Sequence, residues 1–150
     1  MPDAGSGIHF RSACNDGEAL GIAVAKYAVG HSLLPVHAAP VLFSLSGDGL
    51  GQGAILHTGT DQFASMGDPA IVGEALEVYW SGLVDGAVIP PEVTIGGQRA
   101  EILFFGNAPG FAGLNQVNVR VPSGVEPGPA VPVSLTYVGH TSNEVTIGVQ

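Results

Sequence analysis

The sequence predicts an all-β fold, a two-layer antiparallel sandwich of seven or eight short strands over residues 41–150. Three observations carry this. Glycine is frequent, 23 of 150 residues, and is joined by 11 prolines; at that density the chain is cut into pieces too short for long helices. Apolar residues alternate with polar ones in segment after segment, the period of a half-buried strand. Between two such segments stands Gly96-Gly97, a two-residue hairpin connection, because glycine reaches the positive φ of a primed turn without steric cost.

Residues 1–38 differ from the rest. Residues 1–17 read as irregular. Residues 18–29 (EALGIAVAKYAV) fit a short helix by their Ala and Leu content and a strand by their even apolar spacing, and the pattern does not separate the two. Residues 31–40 suit an extended connection, since Pro35 and Pro40 hold the residues before them out of the helical region.

From Val41 the reading sharpens. Residues 41–45 and 52–57 are strands around a glycine-rich loop, followed by a polar connection from Thr58 to Gly73. In residues 74–80, Leu76, Val78 and Trp80 point one way and Ala75, Glu77 and Tyr79 the other. Residues 92–95 and 98–105 flank the Gly-Gly turn. Pairing Ile95 with Gln98 sets Thr94 against Arg99 and places Arg99 diagonal to Glu92. Val117, Val119 and Val121, then Val131, Val133, Leu135 and Tyr137, then Val145, Ile147 and Val149 complete the alternation. The expected inward set includes Leu76, Val78, Trp80, Ile102, Phe104, Val117, Val119, Val133, Leu135, Val145 and Ile147.

Charge excludes two classes of partner. Against 13 acidic residues stand four basic ones, Arg11, Lys26, Arg99 and Arg120, for a net charge of −9. A nucleic-acid surface needs a basic stripe, and an anionic membrane surface repels an acidic chain; the charge itself serves solubility. No apolar run approaches the roughly 20 residues of a membrane span. Cys14 stands alone, so no disulfide forms within the chain. Residues 1–16 have no basic start of the kind that opens an export signal.

The chemistry-bearing residues form no recognisable catalytic set. His57 and Asp61 are four apart but cross from strand to loop. The segment Ser46-Gly-Asp-Gly49 lacks the strand–turn–helix setting of a nucleophile elbow. His9, His31, His37 and His140 have no metal-ligand spacing. Asp48, Asp61 and Asp68, with Glu74, are weak candidates for calcium, because loop carboxylates suit that ion but no EF-hand loop is present. No cofactor is expected. Trp80 falls in phase with the core, and Tyr79, in phase with Glu77, is the candidate exposed ligand contact.

Several motifs resemble one family over residues 39–150. They are APVLFSL at 39–45, GQGAIL at 51–56, EALEVYWSGL at 74–83, VTIGGQRA at 93–100, APGFAGLNQVNVRVP at 108–122, GPAVPV at 128–133 and SNEVTI at 142–147. In order and content they are similar to the Solibacter-type uncharacterised C-terminal domain of large acidobacterial extracellular proteins. The resemblance implies an immunoglobulin-like β-sandwich and a non-catalytic structural or interaction module. It implies a secreted or cell-surface bacterial protein, whose other domains are the partners, and no established site residues. It also makes residues 1–38 the remnant of a preceding module, with HSLLPVHAAP at 31–40 as its last strand; residues 1–25 are expected to be weakly ordered, and the full chain to self-associate more than one starting near Ala38. The alternative function is a carbohydrate-binding sandwich with a surface glycan as partner. A row of two or more exposed aromatics on an outer face favours that alternative, and a uniformly polar outer face favours a spacer.

Overall fold

The computed structural model describes residues 39–150. The readings made for residues 1–38, including the remnant module and residues 18–29, lie outside the described residues. The rest is all-β and builds two antiparallel sheets.

The first sheet holds β1 (Val41–Leu42), β2 (Ile55–His57), β3 (Ala75–Ser81), β6 (Glu101–Asn107) and β7 (Asn115–Arg120). β7 lies along one whole side of β3, from Ala75–Arg120 to Trp80–Asn115, and carries β6 on its far side. β1 and β2 follow each other along the other side of β3, at Trp80–Ser81 and at Leu76–Val78. The second sheet holds β4 (Glu92–Ile95), β5 (Gln98–Arg99), β8 (Gly128–Tyr137), β9 (His140–Thr141) and β10 (Val145–Val149). Its order is β10–β8–β4–β5, with β9 also beside β8.

Alternation explains why these segments face each other. Leu76, Val78 and Trp80 from β3, with Val117 and Val119 from β7, are buried against Val93, Ile95, Val133, Leu135, Val145 and Ile147 from the second sheet. Trp80 meets Tyr137 edge to face across the core, with centroids 5.4 Å apart. Its indole Nε1 is buried without a hydrogen-bond partner. That costs about 1–3 kcal/mol, a smaller amount than burying so large a ring returns.

The hairpin forms as its sequence predicts. Ile95 pairs with Gln98 and Thr94 with Arg99, and Gly96 and Gly97 take φ of 56° and 75°. The Arg99 guanidinium reaches Glu92 Oε1 at 2.8 Å.

Three expectations are corrected. First, residues 98–105 are not one strand. The chain leaves the second sheet at buried Ala100 and enters the first as β6, so one hairpin arm serves both layers. Second, Phe104 is not inward. A bulge follows Ile102, which pairs with Val119, and the next inward contact is Phe105 with Val117. Phe104 instead pairs with Asn118 and is exposed; one extra residue reverses the phase of all that follow. Third, strand 41–45 keeps only two residues as ladder, with a single further bridge at Ser44–Gly53, and a short β9 appears after the turn at Val138-Gly139.

Candidate functional site on the outer face of the first sheet

The residues of β3 that alternate with the core, Glu77 and Tyr79, stand on the outer face of the first sheet beside Gln116 and Asn118 of β7. Apolar side chains gather there from four further places. Phe43 follows β1, Leu56 belongs to β2, Phe63 comes from the connection after β2, and Phe111 and Leu114 come from the β6–β7 loop. Together they border an open groove of about 610 Å³. Phe43 and Phe63 are each 38% exposed and Phe111 66%.

The loop that forms one wall is held by its own backbone. Ala108 N donates to Leu114 O (2.8 Å), Phe111 N to Ala108 O (3.1 Å) and Leu114 N to Phe111 O (3.3 Å). These bonds fold APGFAGL into a compact turn that lifts Phe111 above the sheet. At its base, buried Asn115 accepts from Leu83 N (3.1 Å) and donates to Asn107 Oδ1 (3.1 Å), fixing where the loop leaves the sheet.

The polar groups in the groove are already satisfied. Glu77 Oε1 accepts from Gly59 N (3.2 Å), and its Oε2 accepts from the Tyr79 hydroxyl (3.1 Å). Gln116 Nε2 donates to Asn118 Oδ1 (2.8 Å). Burial, the hydrogen bond to Glu77 and the nearby charges of Glu77 and Asp61 all push the Tyr79 phenol above its ordinary value, so it stays protonated. The groove therefore offers hydrocarbon and ring faces, with few polar groups left unpaired.

A second cluster lies beneath the connection after β2. Buried His57 places Nδ1 2.5 Å from Glu74 Oε1 and Nε2 3.1 Å from the Asp68 carbonyl, with Asp68 Oδ2 at 3.6 Å. Glu74 Oε2 also accepts from Ile71 N (2.9 Å). Burial opposes charging of His57, but the hydrogen bonds to Glu74 and Asp68 and the two carboxylate charges outweigh it and raise its pKa above the ordinary value. The pairing with Asp61 considered from sequence gives way to Glu74, which is 17 residues away along the chain.

The calcium candidates serve local roles. Asp48 Oδ1 accepts from the Ser46 hydroxyl (2.5 Å), Leu50 N (2.9 Å) and the Ser44 hydroxyl (3.3 Å), and thereby ties the loop after β1. The Ser46 and Leu50 donors hold its carboxyl below the usual range despite some desolvation. Asp61 sits exposed in the turn after β2, and Asp68 lends its carbonyl to His57. Among the described residues no three His, Cys, Asp or Glu side chains converge as a metal-holding group, and no helix is long and apolar enough to cross a membrane.

The sequence put Tyr79 on the outward side of its strand, where it stands, but half-buried rather than exposed; Phe43, Phe63 and Phe111 were not legible as its neighbours, since they come from separate segments. No family model and no curated protein matches this chain.

Proposed function

We propose that this is a non-catalytic interaction module of a secreted or cell-surface bacterial protein, an immunoglobulin-like domain of the Solibacter type, which receives an apolar side chain of a neighbouring domain in the groove of the first sheet. The observation that carries this reading is the groove itself, rich in ring faces while Glu77, Tyr79 and Gln116 already bond within the domain. Such a lining rewards an apolar protein side chain. The non-catalytic part is supported by His57, whose two ring nitrogens are both engaged and free for no nucleophile.

The test is a titration of the labelled chain with the other domains of its parent polypeptide, followed by NMR. Amide shifts concentrated at Leu56, Tyr79 and Phe111, and affinity lowered about tenfold or more by Phe111→Asp, support it. Saturable binding with shifts elsewhere overturns it.

A second reading keeps the same face. The aromatic row of Phe43, Phe63, Tyr79 and Phe111 also presents ring faces of the kind on which a glycan stacks. A glycan array decides for it if one sugar class binds and both Tyr79→Ala and Phe111→Ala abolish the signal.

A further inference from the structure

The connection between β2 and β3 carries the one Asp–Pro bond of the chain, Asp68–Pro69. Two donors converge on its carbonyl oxygen. Ser65 N donates to Asp68 O at 2.9 Å, and His57 Nε2 approaches the same oxygen at 3.1 Å. Asp68 N in turn donates to Ser65 O (3.2 Å), which closes the turn between them. Both ring nitrogens of His57 face acceptor oxygens, Asp68 O and Glu74 Oε1, and only the doubly protonated ring donates to both. Among the described residues, Glu74 from the start of β3 and Asp68 from the connection are the charged groups that face this ring. A carbonyl oxygen held by a backbone N–H and a cationic N–H at such distances is the arrangement that stabilises a tetrahedral oxyanion.

The residue that bears this carbonyl also bears a nucleophile. A carboxylate needs no base before it attacks. The Asp68 side chain is 58% exposed, and its Oδ2 lies 3.6 Å from the same His57 Nε2. Attack on its own carbonyl carbon closes a five-membered ring, and the tether supplies the proximity that such a step otherwise lacks. Pro69 contributes by what it lacks: without an N–H, the competing ring closure by the next backbone nitrogen cannot occur.

We propose that the domain cuts its own chain between Asp68 and Pro69, with the Asp68 carboxylate as nucleophile and Ser65 N and His57 Nε2 as the oxyanion donors. An Asp68 carboxylate oxygen bonds to the Asp68 carbonyl carbon while the π pair moves onto the carbonyl oxygen. Collapse breaks the bond to Pro69 N, which keeps the electron pair, takes a proton from solvent and leaves as a secondary amine. One water then opens the cyclic anhydride and leaves Asp68 as a chain end with two carboxyl groups. The sum is hydrolysis of one peptide bond by water, once per chain. This goes beyond the interaction reading without opposing it, since no other molecule is turned over. The two pieces stay joined by backbone bonds: β1 and β2 remain paired with β3, and Ala70 remains bonded to Gly148 O and Gln150 N, both at 2.9 Å.

The experiment incubates the full chain just below about pH 6.5, where histidine is charged, then denatures it and weighs the products by mass spectrometry. Fragments 1–68 and 69–150 should accumulate, about tenfold or more faster in the folded chain than in urea at the same pH. Asp68→Ala, which keeps the carbonyl and removes the nucleophile, should stop the cut with far-UV circular dichroism unchanged. His57→Leu should slow it about 10²-fold. Should that variant fold poorly, the unaltered chain answers by its pH profile: the rate should fall as pH rises through the raised pKa of folded His57, an inflection that the chain in urea lacks. No cut at this bond, a cut as fast in urea, a cut that survives Asp68→Ala, or folded and unfolded profiles of the same shape overturns the proposal.

Discussion

The two sheets share one core and differ on their outer faces. On the second sheet the outer face is held by short polar pairs: Thr94 with Ser134 (2.8 Å), Thr136 with Thr141 (3.1 Å) and Arg99 with Glu92 (2.8 Å). Each partner satisfies the other across neighbouring strands, and the surface is complete as it stands. On the first sheet the outer face collects Phe43, Leu56, Phe63, Tyr79, Phe104 and Phe111 instead. The polar face and the aromatic row, weighed from sequence as rival signs of a spacer and of a binding module, occur on opposite sides of one domain. The lesson is that a sandwich can gather apolar rings on one outer face and keep polar pairs on the other without altering the core between them.

The largest expected effect tests the division between inside and outside on a single strand. Trp80 and Tyr79 are neighbours on β3, one buried in the core and the other lining the groove. Trp80→Ala should cost about 3–5 kcal/mol, and Tyr79→Ala about 1 kcal/mol or less. Urea unfolding of both variants measures the difference. Similar losses would break the contrast between the faces.

Next in size is the turn between β4 and β5, within the second sheet. Both central glycines have positive φ, and a Cβ on Gly96 would sit 3.0 Å from Val125 Cγ1. Replacing both with Val should cost about 2–4 kcal/mol, because a β-branched residue is strained in that region. An unchanged melting temperature would show that the register of β4 and β5 does not depend on this turn.

How much of this was legible follows from how far apart the partners lie. The second sheet is mostly local: Gly-Gly joins β4 to β5, and β8 to β10 follow one another with their valines in phase. The buried face of the first sheet was equally plain, since Leu76, Val78 and Trp80 alternate without interruption. The groove was not, because its residues come from positions 43, 56, 63, 79 and 111, and no periodic pattern links five separate segments. The bulge was hidden for another reason. Ile102, Leu103, Phe104 and Phe105 are all apolar, so the alternation that marks a phase change elsewhere has nothing polar to mark it here. Gly148 gave no sign either, although a Cβ there would collide with the Ser65 carbonyl where β10 meets the connection after β2.

A smaller effect concerns the side of the first sheet where His57 closes the edge of β2. Its folded pKa is raised above the unfolded value of about 6.5. The resulting stabilisation is fully present below that value and is lost as pH rises through the higher folded pKa. Stability should therefore decline as pH rises above about 6.5, and His57→Gln should flatten that part of the profile. The check is chemical denaturation across this range on both proteins; equal slopes would show that the Glu74 and Asp68 contacts do not favour the charged ring.

The smallest effect sharpens the account of the second sheet by improving it. The β8–β9 turn joins Tyr137 to His140 through Val138 and Gly139. Val138 takes φ 48°, the only non-glycine among the described residues with positive φ, and Gly139 takes 79°. Two consecutive positive values are the geometry of the same primed turn that Gly96-Gly97 adopts, but with a β-branched residue in the first place. Val138 is exposed, so its side chain returns little packing for that strain. Asn tolerates the left-handed region and is the favoured residue before Gly in this turn. Val138→Asn should therefore stabilise the domain by about 0.5–1 kcal/mol, read as a rise in melting temperature with the denaturant slope unchanged. A loss of stability would mean that Val138 contributes apolar contact outweighing its backbone strain, and the outer side of the second sheet would then be less purely polar than its hydroxyl pairs imply.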